Sequence, residues 1–364
     1  MDKSALAFAS EKPAIKPVCV SACYCRTMFY IKGTKMTRVV QFYHVGEPDV
    51  LKIVDVDLPP LAADEVSIKV KAIGLNRAEA LLRQGKYAFP PVFPQRMGYE
   101  AAGVVEAIGA KVQGFIPGDA VSVIPSLSMA QWPTYGETIH FPASYVVKHP
   151  ENLSWQQAAS VWMQYITAYG ALVDVAAVTS DDYVLVTAAS SSVGIAAMQI
   201  ANLLGARVIA TSRSESKRQA LLDNGAAWVV TSQGEERRAE IKEITGGRPP
   251  RVIFDCIGGE GVVGLCELLA PGGILIEYGN LSGEPTPFPA NVAIPNGLTI
   301  RGFAYSEIVG DAVRLASAKT FILSALGRGE LKPVIAKSFT FDQIVAAHQY
   351  LEANAQLGKI VVTV

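Results

Sequence analysis

The chain has 364 residues, of which 50% are hydrophobic and 18% are charged, and its formal net charge is −1. This composition is typical of a globular protein long enough for two cores, and it excludes a disordered chain. The near-neutral charge provides no overall field that would attract a polyanion. We therefore expect neither nucleic acid nor a membrane as a partner.

The five cysteines are not spaced as a disulfide framework. Three lie close together at Cys19, Cys23 and Cys25, whereas Cys256 and Cys266 stand apart. This usage favours a reducing compartment, so we expect the protein in the cytoplasm. No second cysteine pair or nearby histidine completes a set of four ligands, and we predict no metal site.

Residues 1–35 differ from the rest of the chain. They mix lysine, proline and cysteine without periodicity, and charged residues interrupt the apolar runs. A signal peptide needs an unbroken apolar core, which is missing here. We expect residues 1–35 to be a disordered N-terminal extension or to precede a native start at Met36, and a targeting role is the less favoured alternative.

From Met36 onward, short strand patterns alternate with turns rich in Gly and Pro. The period-two run at 65–73 predicts a half-buried strand, and the pattern at 76–84 predicts a short helix. Further strands are predicted at 38–42, 98–105 and 120–123. Many short strands of this kind indicate a small barrel-like β domain over residues 36–152.

The pattern changes near Ser154, which has the capping-box spacing with Gln157. Beyond it, apolar strands alternate with helices, which predicts an α/β domain with a doubly wound parallel sheet. The predicted strands include 206–211, 227–230, 251–255, 273–279 and 298–303, and the predicted helices are 216–224, 235–245, 311–327 and 341–353. A last strand at 359–364 is expected to return to the first domain.

One segment of the second domain predicts a phosphate-binding site. The apolar run from Val184 stops at a loop of small residues, 188–194, and a helical pattern follows. Small residues let the backbone approach a pyrophosphate, and a helix N-terminus offers unbonded N–H groups and a positive dipole. We therefore expect a dinucleotide here. The predicted contacts are Ser191, Ser192, Val193 and Gly194.

The end of the next strand indicates which nicotinamide cofactor binds. An acidic residue that holds the ribose diol of NAD is expected about 20 residues after the loop. Residues 211–214 contain no Asp or Glu, but Ser212 and Arg213 are present and Lys217 follows. Cations and hydroxyls suit a 2′-phosphate, so we predict NADPH. Ordinary solvated helix charges are the alternative interpretation of these cations.

Several motifs taken together resemble one family. They are Gly74-Leu75-Asn76-Arg77-Ala78-Glu79, Gly98 to Val105, Gly118-Asp119-Ala120-Val121, Thr187 to Gly194, Gly329 to Pro333 and Gly358-Lys359-Ile360-Val361. From Met36 to Val364 the chain resembles the medium-chain dehydrogenase/reductase superfamily, and most of all its zinc-independent quinone oxidoreductase-like branch.

The resemblance implies a domain arrangement and a quaternary state. A GroES-like β-barrel catalytic domain is expected at 36–152 and 306–364, and a Rossmann NADP-binding domain at 153–305. The active site is expected between them. A homodimer is implied through the strand near 298–303.

The resemblance also implies site residues. Zinc-dependent relatives carry Cys at the position of Asn76 and His at that of Tyr99, so two zinc ligands are missing here. Asn76, Tyr87 and Thr167 are implied for the nicotinamide and substrate cleft, although Leu81 replaces a second family tyrosine. Tyr99 is either a proton donor or a core residue.

Further cofactor contacts are implied along the sheet ends. Asp255, Tyr278 and Gly279 are expected there, with Ser212 and Lys217 at the adenosine end. The family loop carries glycine where this chain has Ser191 and Ser192. We expect strain if either position needs a positive φ, and a hydroxyl that can bond to the pyrophosphate.

These expectations lead to one functional hypothesis and two alternatives. Without zinc as an electrophile, the acceptor must itself be electrophilic, as quinones and α,β-unsaturated carbonyls are. We therefore predict an NADPH-dependent, zinc-independent reductase that transfers hydride to such a small molecule. The alternatives are a carbonyl or alcohol oxidoreductase, and a nucleotide-binding interaction protein without turnover.

Overall fold

The strands of the first half of the chain are mainly antiparallel. The computed structural model describes residues 36–364, so the expected extension at 1–35 lies outside the described residues. The strands are β1 (Met36–Phe42), β2 (Lys52–Asp57), β3 (Glu65–Gly74), β4 (Gln95–Arg96), β5 (Glu100–Ile108), β6 (Ala120–Val123), β7 (Thr138–Pro142) and β8 (Val146–Lys148). β1 pairs with β2 and β4, and β3 pairs with β5 and β7.

A six-stranded parallel sheet forms the second half. Its strands are β9 (Tyr183–Val186), β10 (Arg207–Thr211), β11 (Trp228–Val230), β12 (Val252–Asp255), β13 (Ile274–Glu277) and β14 (Thr299–Gly302). Their order in the sheet is β11-β10-β9-β12-β13-β14. The direction of winding reverses between β9 and β12, and in such sheets ligands bind at the carboxyl ends beside this point.

Both faces of the parallel sheet are covered. Val184 and Val186 of β9 enter one hydrophobic cluster, whereas Leu185 enters a second cluster with Ile253 of β12. All four side chains are fully buried. A strand buried on both faces has a continuous apolar sequence, which is why this sheet is readable from the sequence.

The chain then returns to the β-rich half through β15 (Ile335–Thr340) and β16 (Lys359–Thr363). These two strands pair in parallel, and β16 also pairs with β3 in antiparallel fashion, with Val362 opposite Ile73. The predicted return of the last strand is therefore confirmed. It brings Lys359 next to the residues that follow β3.

The helices connect and cover these sheets. They are α1 (Arg77–Arg83), α2 (Trp155–Ala158), α3 (Trp162–Tyr169), α4 (Ser192–Leu203), α5 (Arg218–Asp223), α6 (Gly234–Ile244), α7 (Gly261–Cys266), α8 (Ala290–Asn296), α9 (Ser306–Val309), α10 (Ala312–Gly327) and α11 (Ile344–Glu352). Among the described residues, none of these helices has the length and apolar character needed to cross a membrane. The predicted α/β class with a doubly wound parallel sheet is confirmed.

Candidate active site

Asn76 lies between the end of β3 and the start of α1. It caps the helix in a capping box with Glu79, and only 8% of its surface is exposed. Its amide nitrogen donates to Gly74 O at 3.3 Å and to Glu79 Oε1 at 3.2 Å. Its Oδ1 accepts from Lys359 Nζ at 2.6 Å. These partners fix the orientation of the Asn76 amide.

Lys359 and Glu100 form an ion pair in the protein interior. Each side chain is 1% exposed, and Lys359 Nζ donates to Glu100 Oε2. The other carboxylate oxygen accepts from Met163 N, at the start of α3, at 2.9 Å. Because charges are costly to remove from water, each needs a partner that compensates it inside the protein. The ion pair and its hydrogen bonds supply that compensation.

Glu79 belongs to the same interior network and is completely buried. Besides Asn76, its carboxylate accepts from Tyr99 N at 3.0 Å and from the Tyr135 hydroxyl at 2.9 Å. Burial raises the pKa of Glu79 to about 7. These hydrogen bonds and the ammonium group of Lys359 act in the opposite direction and lower the pKa. The Tyr135 hydroxyl also lies 3.3 Å from His348 Nε2, and burial lowers the pKa of His348 to about 3.

Tyr87 and Tyr99 bring two hydroxyl groups together beside this network. The hydroxyl oxygens are 3.0 Å apart. Tyr87 is half-buried and packs edge-on against Phe89, with ring centroids 5.0 Å apart, whereas Tyr99 is only 1% exposed. Burial raises the pKa of both hydroxyls, so both are protonated at neutral pH and can donate hydrogen bonds. Tyr99 is therefore a core residue whose hydroxyl meets Tyr87.

Thr167 lies on α3 and is largely buried. Its hydroxyl donates to Met163 O, one turn earlier, at 2.6 Å. Since Met163 N bonds to Glu100, α3 is attached to the same network as Asn76 and Tyr99. The structure thus connects all three sequence-predicted cleft residues, Asn76, Tyr87 and Thr167, through a few side chains.

The predicted phosphate loop joins β9 to α4. Ser191 caps α4, because its hydroxyl accepts from Gly194 N at 3.0 Å, and its φ is −70°. Ser192 is the first residue of the helix. Neither serine has a positive φ, so the expected strain from replacing glycine is absent. Ala188, with a φ of +43°, adopts the left-handed conformation instead.

The loop has the form of a pyrophosphate cradle. The first-turn amides of Ser192 and Val193 have no acceptor within the helix and lie at its positive end. A Cβ at Gly194 would lie 2.7 Å from Ala189 O, so a larger residue would push the helix away from the loop. Both features fit a bound dinucleotide.

Asp255 ends β12, at the point where the winding of the sheet reverses. Its side chain is completely buried. One oxygen accepts from the Thr187 hydroxyl, and the other accepts from Gly258 N at 2.8 Å. Asp255 therefore joins the loops that follow β9 and β12, and both its oxygens already have protein partners.

Tyr278 and Gly279 follow β13 at the same edge of the sheet. The Tyr278 ring stacks on Phe254, with centroids 4.0 Å apart, and burial raises the pKa of its hydroxyl. This hydroxyl is buried without a hydrogen-bond partner among the described residues. A buried donor of this kind indicates a partner supplied by a ligand or water. A Cβ at Gly279 would lie 3.3 Å from the Cys256 side chain, so glycine keeps these ends close.

The predicted adenosine end carries two cations. Lys217 Nζ donates to Ser190 Oγ at 3.1 Å and to Gln356 O at 3.0 Å. Arg213 is exposed, and burial together with the charge of Arg213 lowers the pKa of Lys217. The Ser212 hydroxyl is engaged within its own turn, because it donates to the backbone oxygen two residues later at 3.0 Å.

The acidic residue nearest in sequence does not counter these cations. Glu215 pairs with Arg218 and also accepts from the Thr231 hydroxyl at 3.1 Å. Arg218 is therefore occupied in a local ion pair. Arg213 and Lys217 provide the positive charge at the end of β10.

A short segment before β16 connects the phosphate loop to the buried network. Gly358 N donates to Ser190 O at 2.9 Å, and Gly358 forms a bridge with Ser191. Its φ is +98°, and a Cβ there would lie 2.4 Å from Val334 O, so glycine is required. Because Lys359 is the next residue, one segment contacts both the phosphate loop and Asn76.

The sequence interpretation missed the interior network. Lys359 lies in the motif Gly358-Lys359-Ile360-Val361, for which the sequence predicts only a strand. A single lysine opening the apolar run Ile360 to Val364 was the available signal, since a strand buried on both faces rarely carries an unpaired charge. Glu79 and His348 gave no such signal. Within residues 36–364, no group of three or more His, Cys, Asp or Glu side chains is arranged to hold a metal ion.

Comparisons with known proteins identify the family of the chain. The family model for the alcohol dehydrogenase GroES-like domain matches residues 62–185, and that for the zinc-binding dehydrogenases matches residues 192–318. Quinone oxidoreductase of Homo sapiens is 30% identical over 334 residues, which are 90% of this chain and 98% of that protein.

Two solved structures extend the comparison. Escherichia coli quinone oxidoreductase complexed with NADPH is 28% identical, with a TM-score of 0.81 over 90% of this chain and 100% of the other. CurK enoyl reductase is 25% identical, with a TM-score of 0.81 over 90% and 99% of the two chains. The chain therefore belongs to the medium-chain dehydrogenase/reductase superfamily, in its quinone oxidoreductase-like branch.

Proposed function

We propose that the protein is an NADPH-dependent, zinc-independent reductase that transfers hydride to a quinone or an α,β-unsaturated carbonyl. The observation that carries this proposal is the set of side chains at the positions of the zinc ligands. Asn76 and Tyr99 occupy two of these positions, and the carboxylate of Glu100 is paired with Lys359. A catalytic zinc needs about three protein ligands, which these residues do not offer.

The acceptor must then be activated by hydrogen bonds. Tyr87 is the half-buried member of the hydroxyl pair, so its proton can reach a carbonyl oxygen bound beside it. A neutral donor of this kind stabilises the negative charge that develops on the oxygen of a quinone or enone. Asn76 and Thr167 border the same network and would position the nicotinamide and the acceptor. The likeness to a quinone oxidoreductase and an enoyl reductase supports both acceptor classes.

The cofactor would be held by the phosphate loop and the cations beyond β10. Bound NADPH would supply the hydride. The free amides of Ser192 and Val193 suit the pyrophosphate, and Arg213 and Lys217 suit a 2′-phosphate. Support for NADPH over NADH comes from these cations and from the pairing of Glu215 with Arg218. One structural relative is an NADPH complex.

The central test is the oxidation of NADPH by the purified full chain in the presence of 1,4-benzoquinone or cyclohexenone. We expect turnover with at least one acceptor, and we expect a zinc chelator to leave the rate unchanged. Parallel assays use NADH, and a simple alcohol with NADP⁺. Binding of NADPH without reduction of either acceptor would favour an interaction protein. Alcohol oxidation that needs stoichiometric zinc would favour the alternative oxidoreductase.

We also propose that the protein is a homodimer that pairs through β14. This strand lies at the edge of the parallel sheet, and Phe288 and Ile294 nearby in the sequence are 63% and 74% exposed. An unpaired strand edge with apolar neighbours favours association with another copy. Light scattering after size exclusion should give the mass of a dimer, and Ile300→Pro in β14 should give a monomer. A monomeric wild type would contradict this proposal.

The proposed location is the cytoplasm. Cys256 and Cys266 are buried free thiols, as expected for a protein kept in a reducing compartment.

A further inference from the structure

Three tyrosines form a cluster where the two halves of the molecule meet. Tyr305 follows β14, and its half-buried ring packs against both large hydrophobic clusters, one from each half. The Tyr305 and Tyr99 rings meet edge-on, with centroids 5.6 Å apart and an interplanar angle of 69°. The Tyr99 hydroxyl in turn lies 3.0 Å from that of Tyr87. A residue contributed after the parallel sheet therefore packs against the Tyr99 ring.

Burial limits the partners that the three hydroxyls can reach. The Tyr305 hydroxyl donates its proton to Ser126 O at 2.8 Å. Tyr99 is 1% exposed, so its proton must go to a protein acceptor, and the Tyr87 oxygen is within reach. Tyr87 is half-buried and can direct its own proton out of the cluster. Donation from Tyr99 to Tyr87 would leave the Tyr87 proton free for a bound acceptor.

The backbone of Tyr99 is held independently of its ring. Its N–H donates to Glu79 Oε1 at 3.0 Å, and Glu79 also bonds to Asn76. The tyrosine pair thus has a fixed place relative to the Asn76 amide. The electrostatics agree with the direction of donation. Burial raises the pKa of Tyr87, but its hydrogen bond with Tyr99 acts to lower it.

We propose that Tyr99 is a positioning residue that donates to the Tyr87 hydroxyl and so directs the Tyr87 proton to the acceptor oxygen. Tyr305 holds the Tyr99 ring in place from the other half of the molecule. This inference rests on the proposed reductase function, since it assigns the source of the proton in that reaction.

The proton and electron balance of the step is complete. The conjugated carbon of the acceptor gains a hydride from the reduced nicotinamide, which is oxidised. The acceptor oxygen gains a proton from Tyr87, whose O–H bond breaks, and the product is an enol. Tautomerisation then moves a proton between carbon and oxygen, which gives the saturated ketone from an enone or the hydroquinone from a quinone. The Tyr87 phenolate keeps the hydrogen bond from Tyr99, which stabilises it, and takes a proton back from water because Tyr87 is half-buried.

The first test compares Tyr87→Phe, Tyr99→Phe and the matched control Tyr350→Phe, which removes a hydroxyl outside the cluster. We expect kcat to fall about 100-fold for Tyr87→Phe, the usual size of a general acid's effect. For Tyr99→Phe we expect a fall of about 10-fold with little change in KM, because a hydrogen bond to a charged group is lost. The basic limb of the kcat profile should also move to higher pH. Tyr350→Phe should match wild type.

The second test measures binding without turnover or cofactor. The probe is 4-nitrophenolate, whose oxygen mimics the negative oxygen of the reduced acceptor and whose absorption reports hydrogen bonds to it. We expect Tyr99→Phe to bind the probe about 10-fold more weakly than wild type. Tyr87→Phe should bind more weakly still, and thermal unfolding should show that all variants are folded.

The two levels of inference fail in different ways. If wild type reduces neither a quinone nor an enone, the proposed function is wrong whatever the probe shows. If wild type is an active reductase but Tyr99→Phe has the same kcat, pH profile and phenolate binding, the role of Tyr99 is overturned. Failure of the active wild type to bind the phenolate also overturns it. A Tyr99→Phe variant with a raised KM but an unchanged kcat would show simple packing instead.

Discussion

The phosphate loop and the interior network of the barrel show two ways of building a functional site. The loop takes its residues from one continuous segment, 188–194, and most of its side chains are only partly buried. The network joins Asn76 to Lys359, which are 283 residues apart in the chain, and it is closed to solvent. The first type of site depends on local backbone geometry, and the second depends on the complete tertiary structure.

The interior network depends on the complete tertiary structure, so a substitution within it should lower the free energy of unfolding more than a substitution at the cofactor end. We expect Lys359→Met to lower the free energy of unfolding by about 3–5 kcal/mol, because it leaves the buried Glu100 carboxylate without its cation. Urea unfolding measures this change. The double variant Lys359→Met/Glu100→Gln should recover part of the loss. The exposed Lys111 gives a matched control, and Lys111→Met should change little. Equal losses for both lysine variants would contradict the buried pair.

The buried carboxyl group of Glu79 makes the stability of the protein depend on pH. The native state holds the Glu79 proton more tightly than the unfolded chain, where the pKa is about 4.5 rather than about 7. This contribution to stability is fully present below about pH 4.5 and is lost as pH rises through about 7. The Glu79→Gln variant has no carboxyl group to titrate at this position, so it does not lose this stability as the pH rises. Its stability relative to wild type should therefore increase by up to about 3 kcal/mol across this window.

Urea unfolding of Glu79→Gln and wild type at a series of pH values measures this difference. His348 titrates in the opposite sense. Its lowered pKa gives stability that is present above about pH 6.5 and lost as pH falls toward about 3. Comparing each variant with wild type removes this contribution, since it is common to both. Glu151→Gln, at an exposed position, serves as the control. A pH-independent difference for Glu79→Gln would contradict the raised pKa.

The cofactor end should show a smaller and more selective effect. We expect Arg213→Ala to weaken NADPH binding about 10-fold and NADH binding far less, because a charged contact to the 2′-phosphate is lost. Stability should be unchanged, since Arg213 is exposed. Fluorescence titration with both nucleotides measures the two affinities. Arg328→Ala, in an exposed pair with Glu330, is the matched control. Equal losses for NADPH and NADH would exclude the 2′-phosphate contact.

The same contrast explains how much of the molecule could be predicted. Strand and helix periodicity, the small-residue loop and the continuous apolar strands predict the elements of the parallel sheet and the strand β16, because these features are local in sequence. Asn76 and Tyr87 came from motif matches. The link of Glu79 to Tyr135 and His348 could not be predicted, because periodicity does not say which buried polar groups will meet.

The surroundings of Tyr99 could not be predicted from the sequence. Its position after Gly98 is compatible with a packed ring or an active hydroxyl. The structure shows an enclosed ring whose hydroxyl lies 3.0 Å from that of Tyr87. The Tyr99 ring packs against Tyr305, whose hydroxyl donates to Ser126 O, and these residues belong to distant parts of the chain.

The pairing of β16 with β3 has a consequence for biosynthesis. During translation β3 and Asn76 are synthesised early. Lys359 is the 283rd residue added after Asn76. Until then β3 lacks one neighbour, and the carboxylate of Glu100 lacks its cation. The early part of the nascent chain therefore stays incompletely folded while the parallel sheet is synthesised. The parallel sheet can fold before this early part is complete. Chaperone contacts during synthesis should concentrate on this early part.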